Sequence, residues 1–245
     1  MEAAQEAVME VMLRRIDEAE AFCRHPGRPF VTVSYAQSID GSIATRHRRP
    51  LPISGPAAMR MTHGLRTLHD GILVGIETVL ADDPRLTVRL INGAHPQPVV
   101  LDTWLRTPLK ARLLQRGDCR SWLIGAEDSP AERVAAMTEA GAEVLPCCRD
   151  KQNGRLDLHR TLGLLHERGL RRLMVEGGAR VITSFVQARL VDLFIITIAP
   201  KLVGGLPVMA APPGGAQASM ALSAIHYDRL ENDLVLWARP DWQTP

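Results

Sequence analysis

Aromatic side chains are scarce in this chain, at 4% of its 245 residues. They form no ladder on which the bases of a single strand could stack. Excess charge is also missing: 29 Lys and Arg against 27 Asp and Glu leave a net +2. That balance is too even for an electrostatic footprint on nucleic acid or an anionic membrane, so neither is an expected partner. No apolar run reaches the roughly 18 residues that a membrane span needs. The N-terminus begins with Glu2 and mixes charges throughout, unlike a signal peptide, and a cytoplasmic location is expected. The four cysteines, Cys23, Cys119, Cys147 and Cys148, include no C-x-x-C and read as ordinary reduced thiols. The eight histidines show no H-x-x-H or H-E-x-x-H, so metal ligands are expected to be none. A G-x-S-x-G elbow, a P-loop and a G-x-G-x-x-G fingerprint are missing as well.

What is present is apolar substance, 46% of the chain, too much for intrinsic disorder. At about 150 residues per domain the length fits one large domain or two small ones. Residues 3–23 place Val8, Met12, Ile16 and Ala19 at helical spacing, and Pro26-Gly27 stops the run. This helix is expected to pack on the main body or on a partner subunit. Residues 30–36 read as a first strand, and 41–55 as a polar basic loop holding Arg46-His47-Arg48-Arg49. Ser54 is placed to cap a helix with Pro56 in its first turn, running to about His69. The all-apolar run 71–75, bounded by glycines, predicts a strand buried on both faces. Further strands are expected at 98–102, 121–125, around Val144-Leu145, at 172–176 and at 192–199. Between them lie helices after the capping box Ser129-Pro130-Ala131-Glu132, at 157–168, and from Gly178 to about Arg189. The runs 222–229 and 233–239 read as an antiparallel pair. Repeated strand–helix–strand order predicts an α/β domain with a largely parallel sheet.

Ligands of open parallel sheets sit at the carboxyl ends of strands. Polar groups follow four of the expected strands here: Ser38-Ile39-Asp40-Gly41, Thr78 with Asp82-Asp83-Pro84, Asp102-Thr103, and Glu176-Gly177-Gly178. The last leads through Ala179-Arg180 into a helix, whose free N–H groups suit an anion such as a pyrophosphate; a plain strand–helix turn is the other reading. Arg66 and Arg89 suit a substrate phosphate through their planar forks, or else cap a helix end or pair with a carboxylate. Asp82-Asp83-Pro84 can polarise a ligand or simply shape a turn. The Arg46–Arg49 cluster can meet the extra phosphate of NADP or stand as a solvated loop.

Taken in order, a longer pattern emerges. Ser38-Ile39-Asp40-Gly41-x-Ile43-Ala44 is followed by Ile53-Ser54-Gly55, His63-x-Leu65-Arg66 and Asp70-Gly71-Ile72-Leu73-Val74-Gly75. Then come Thr78-Val79-Leu80-x-Asp82-Asp83-Pro84-x-Leu86-Thr87-Val88-Arg89, Val99-Val100-Leu101-Asp102, Val175-Glu176-Gly177-Gly178 and Ala199-Pro200-Lys201-Leu202-Val203-Gly204-Gly205. Over about residues 28–240 this resembles the pyrimidine reductase of riboflavin biosynthesis, found elsewhere as the C-terminal domain of a bifunctional deaminase-reductase. The resemblance implies a dihydrofolate-reductase-like three-layer α/β sandwich, with a mostly parallel central sheet and an antiparallel C-terminal hairpin. It implies a helical extension over 1–27, a reductase domain over 28–245, and a homodimer.

It also implies an NADPH-dependent reductase that converts a phosphorylated ribosylamino-pyrimidine to its ribitylamino form, with hydride reaching C1′ of the sugar. Position by position, Ala36, Ser54, Thr78, Asp82, Thr103, Gly177, Gly178, Ala179 and Arg180 would face the cofactor, and Arg66, Leu86, Arg89 and Glu176 the substrate. Asp82 is the catalytic candidate. Three departures stand out: no zinc deaminase signature H-x-E…P-C-x-x-C precedes the domain, Ser42 stands where a Lys is common, and Pro50 and Pro52 stand where a Ser and a Trp are common. A same-fold reductase of a pterin such as dihydrofolate, and a non-catalytic nucleotide-binding module, are the alternatives.

Overall fold

A computed structural model describes residues 2–23, 25–47, 51–151, 153–209 and 220–242. The chain opens with helix α1 (Glu2–Phe22), strand β1 (Phe30–Ser38), a short β2 (Ser42–Ala44) and helix α2 (Pro56–Thr67). Next come β3 (Gly71–Gly75), α3 (Ile76–Asp82), β4 (Gln97–Leu101), β5 (Ser121–Ala126), α4 (Ala131–Glu139) and β6 (Ala142–Cys147). The order ends with α5 (Leu158–Glu167), β7 (Arg172–Val175), α6 (Ala179–Gln187), β8 (Leu193–Ala199), β9 (Leu206–Pro207), β10 (Ala221–Leu230) and β11 (Asp233–Asp241).

Nine strands make one sheet in the order β10-β11-β8-β1-β7-β3-β4-β5-β6. From β8 to β6 every neighbour is parallel, and β11 runs antiparallel to β8 and to β10. This is the mostly parallel sheet with a C-terminal hairpin that the sequence led us to expect. The residue alternation of each strand divides the core between two faces. On one, Val33, Leu73 and Ile124 meet Leu162 and Leu165 of α5 and Phe185 of α6. On the other, Ile72, Val100 and Leu123 meet Met137 of α4, while Met174, Ile195 and Trp237 meet Met61 and Leu65 of α2. The result is three layers, helix–sheet–helix. All five residues of β3 are buried, as an apolar run flanked by glycines requires at the sheet centre.

The N-terminal helix lies on this same body. Met12, Ile16 and Ala19 are buried against the α2 side of the sheet, while Val8, expected on that stripe, is 49% exposed. Arg172 of β7 reaches Asp17 and Glu20, and Arg15 pairs with Asp228 of β10 while lying over the Trp237 ring.

Several local expectations give way to tertiary contacts. Ser54 does not cap α2; the cap is Gly55, whose N–H donates to the Asp233 carboxylate at 2.6 Å. Helix α2 closes at Leu68, close to the expected end near His69, through a bond from the Leu68 N–H to the Leu65 carbonyl. The Ser129–Glu132 capping box is not made either: Pro130 is the cap residue and the Ser129 hydroxyl is buried without a partner. Asp157 does cap α5, accepting the Arg160 N–H. The expected strand at Val144-Leu145 is the six-residue β6.

Three elements, α3, β2 and β9, were not foreseen. Helix α3 is only seven residues, begins at once after Gly75 and ends on Asp83 in the left-handed region (φ 41°) ahead of Pro84. The loop 41–55 holds β2, which pairs with β9. Asp40 locks that pairing in place. Its carboxylate accepts the Ser38 and Ser42 hydroxyls and the N–H groups of Val203 and Gly204, and these bonds hold its carboxyl well below the usual range. Asp40 is therefore a structural tie between two sequence blocks far apart in the chain.

Candidate active site

Because β1, β3, β4 and β7 are parallel, their carboxyl ends share one edge of the sheet. A cleft of about 1400 Å³ opens there. Ala36 comes from β1, Thr78 and Asp82 from α3 after β3, Thr103 from the segment after β4, and Glu176, Gly177 and Gly178 from the segment after β7. Ser54, Arg66, Arg89, Ala179 and Arg180 join them. The sequence thus foresaw residues that do gather, with one exception. Leu86 is 3% exposed, with φ 54°, and packs with Val79 and Leu113 in the α4-side core. Its side chain is a core group rather than a cleft contact.

Two glycines make the tightest corner of the cleft. A Cβ on Gly177 would lie 2.7 Å from the Val74 Cα and 3.0 Å from the Gly75 nitrogen, so only glycine lets the β7 end lie against β3. Gly178 has φ 65° and a Cβ there would come 3.0 Å from the Thr78 hydroxyl. It starts α6 with no side-chain cap. The first intrahelical bond comes from Ile182 to the Gly178 carbonyl, so the N–H groups of Ala179, Arg180 and Val181 have no helical acceptor. With the positive end of the helix dipole behind them, they suit an anionic group in the cleft. A dinucleotide pyrophosphate fits this cradle, which a larger side chain at 177 or 178 would fill.

The charged wall is built differently from the expectation of two arginines free for a phosphate. Arg66 forks onto Glu176, Nε to Oε1 at 2.7 Å and Nη2 to Oε2 at 2.6 Å, and its Nη1 donates to the Thr87 carbonyl at 2.8 Å. The two side chains are only 12% and 13% exposed. Burial works against the Arg66 charge, and Glu176 more than restores it, raising its pKa overall. Arg89 is the freer cation. It is exposed, and its guanidinium touches only the Thr87 carbonyl and hydroxyl among the described residues.

His63 stands between them. It is 3% exposed, and its Nδ1 accepts the Arg89 N–H at 2.9 Å. Burial, then Arg66 and Arg89, push its pKa down to about 4. A neutral ring that accepts at Nδ1 carries its proton on Nε2. Asp82, on the last turn of α3, shifts the other way: desolvation in the cleft raises its carboxyl above the ordinary value.

His63 and two further lining residues, Tyr35 and Trp104, had been given no role. His63 lies three positions before Arg66 on one helix, a spacing that puts both on one face. Trp104 directly follows Thr103 at a strand end. Tyr35 is on β1, its hydroxyl pushed up to about 12 by burial. Asp102 is buried and turned away from ligand work, since it accepts the Arg106 and Thr107 N–H groups and the Thr107 hydroxyl. Of the basic run 46–49, Arg46 binds the Gly204 carbonyl, and Arg48 and Arg49 lie outside the described residues.

The parallel sheet, its C-terminal hairpin and the cleft at the strand ends define a three-layer α/β domain with a ligand cleft at the strand carboxyl ends. The comparisons with known proteins make this specific. Residues 29–236 match the family described as RibD C-terminal domain, and the chain belongs to that family. A 2,5-diamino-6-ribosylamino-4(3H)-pyrimidinone 5′-phosphate reductase of Methanothermobacter thermautotrophicus is 42% identical over 182 residues, 73% of this chain and 81% of that protein. Its namesake in Archaeoglobus fulgidus is 40% identical over 188 residues, 73% of this chain and 83% of that protein. Among solved structures, the riboflavin biosynthesis reductase Rib7 of Saccharomyces cerevisiae is similar with a TM-score of 0.71 at 29% identity, covering 89% of this chain and 93% of that one. RibD of Acinetobacter baumannii gives a TM-score of 0.76 at 25% identity, with 88% of this chain matching 59% of that longer one. No helix among the described residues is long and apolar enough to cross a membrane.

Proposed function

We propose that this protein is an NADPH-dependent reductase that converts a phosphorylated ribosylamino-pyrimidine to its ribitylamino form in riboflavin biosynthesis. The observation that carries the reading is the cleft itself: a two-glycine cradle at a helix N-terminus lies beside a forked Arg66–Glu176 pair and a free Arg89. The names of the archaeal relatives favour the diamino pyrimidine over the uracil form. We assign the protein to the cytoplasm and to a homodimer, in which the exposed face of β10 is a candidate contact.

The cradle of Gly177, Gly178 and the Ala179–Val181 amides would hold the pyrophosphate, with Ala36, Ser54, Thr78 and Thr103 along the rest of the dinucleotide. When bound, the nicotinamide supplies the hydride for C1′. Everything else falls to the side chains. Arg66 and Glu176 orient each other, leaving carboxylate lone pairs for sugar hydroxyls or ring N–H groups. His63 offers an N–H donor that carries no charge. Opening the sugar ring needs a proton at the ring oxygen, and the raised pKa of Asp82 keeps one available nearer neutral pH. The closing β3–β7 corner keeps the reacting atoms in one orientation.

NADPH oxidation at 340 nm tests the reading. The diamino and uracil forms of the phosphorylated substrate are run beside dihydrofolate. Turnover of a pyrimidine with a silent pterin is the expected result. Turnover of dihydrofolate alone, or of nothing, refutes it.

A further inference from the structure

A second cavity of about 530 Å³ lies behind the Thr87–Arg89 segment and shares Arg89 with the cleft. Arg85, Arg89, Arg112 and Arg116 all line it, with His95 and a single carboxylate, Asp118. That carboxylate is already engaged. Arg116 forks onto it, and the contact holds the Asp118 carboxyl down to about 2. Arg116 also donates to the Leu86 and Pro96 carbonyls, so it is a fixed wall of the pocket. His95 accepts the Val88 N–H through Nδ1. The guanidinium groups of Arg85 and Arg112 have no carboxylate partner among the described residues, and Arg89 has only Thr87. Burial first, then Arg66, Arg112 and Arg85, lower the Arg89 pKa, and Glu176 opposes them.

Four arginines from two separate segments therefore line one hollow whose single carboxylate is already satisfied. Among the described residues the Arg85 and Arg112 side chains bond to no other element; the Arg112 backbone N–H donates to the Asp83 carboxylate at 2.8 Å, which leaves the guanidinium free. Like charges held this close raise the energy of the empty pocket, and an arriving dianion relieves it. Guanidinium forks suit the oxygens of a phosphate in particular.

We propose that this arginine pocket is a phosphate-binding site, filled by a phosphate group and linked to the cleft through Arg89. The group is either the phosphomonoester end of the cleft's ligand or a free phosphate ion. The first source rests on the reductase reading above; the second does not.

The test is an isothermal titration of the full chain with inorganic phosphate at constant ionic strength, repeated on Arg85→Ala/Arg112→Ala. Both positions are exposed, and a melting curve in chloride checks the fold. Saturable binding that weakens about tenfold or more in the variant is expected, since a hydrogen bond to a charged group contributes on that scale. The absence of saturable binding, or equal affinity in the variant, overturns the proposal. Kinetics then separate the sources. If phosphate competes with the phosphorylated pyrimidine, and the variant raises KM for it but not for the dephosphorylated analogue, the ligand's own phosphate occupies the pocket. Binding without competition assigns it to free phosphate. If no pyrimidine is turned over at all, the reductase reading falls while the phosphate titration still decides the pocket.

Discussion

The forked Arg66–Glu176 pair should behave as one unit whose halves cannot be removed independently. Its geometry is bidentate, at 2.7 and 2.6 Å, and both side chains are nearly enclosed. Replacing Glu176 by Met leaves a guanidinium with only the Thr87 carbonyl, and replacing Arg66 by Met leaves a nearly enclosed carboxylate without its bidentate partner. Breaking a fully buried pair from one side costs about 3–5 kcal/mol. Cleft water reaches this one, so about 2–3 kcal/mol per single variant is the better expectation. For a chain of this length that is a fall of about 5–10 °C in Tm. The double variant removes both charges at once and leaves neither stranded, so its loss should be close to that of one single variant. The coupling is then about 2 kcal/mol. Urea unfolding of the four proteins measures it, with midpoints and slopes taken together. Losses that add to within about 0.5 kcal/mol would refute the pairing, because additivity is the behaviour of sites that do not touch.

Gly177→Ala should weaken NADPH binding at least about tenfold and lower stability by about 1–3 kcal/mol, because its methyl would press into the β3 backbone; fluorescence titration of the reduced cofactor checks this, and unchanged affinity would remove the cradle. Asp82→Asn should lower kcat by about 100-fold or more and abolish the limb of the pH profile that the carboxyl sets, whereas full activity at every pH would take Asp82 out of the proton transfer. His63 and His69 are both held near 4 when folded, against 6.5 for a free imidazole. His69 is locked neutral by donating Nδ1–H to the Leu65 carbonyl and accepting the Thr32 hydroxyl at Nε2. Between pH 4 and 6.5 the unfolded chain binds protons that the folded chain does not, so stability is present above 6.5 and is lost as pH falls toward 4. The loss is about 3 kcal/mol per ring across the whole window. Urea midpoints at pH 7, 5.5 and 4.5 read it, and a flat response over that range would contradict the buried neutral rings.

The parts of this molecule legible in its sequence are those whose causes are local or patterned. Strand β3 could be read because a short apolar run bounded by glycines fits the centre of a covered sheet. Helix α5 could be read because Asp157 supplies its own cap. Longer-range causes left no such mark. Ser54 and Ser129 have the right side chains for caps, yet Asp233 pulls the α2 start one residue along and Pro130 takes the α4 cap. Asp40 looked like one polar group among several at a strand end, and its role depends on amides 163 and 164 residues away. The same holds for the site. The resemblance named Arg66 and Glu176 separately as substrate contacts, but 110 residues separate them, and only folding reveals that each is the other's first partner. That pairing changes what a phosphate would meet. With Arg66 committed to Glu176 and Thr87, Arg89 is the freer of these two arginines, and it lines both the cleft and a hollow with three more arginines. On the phosphate-pocket proposal, the anion-binding role expected of two arginines falls chiefly to Arg89.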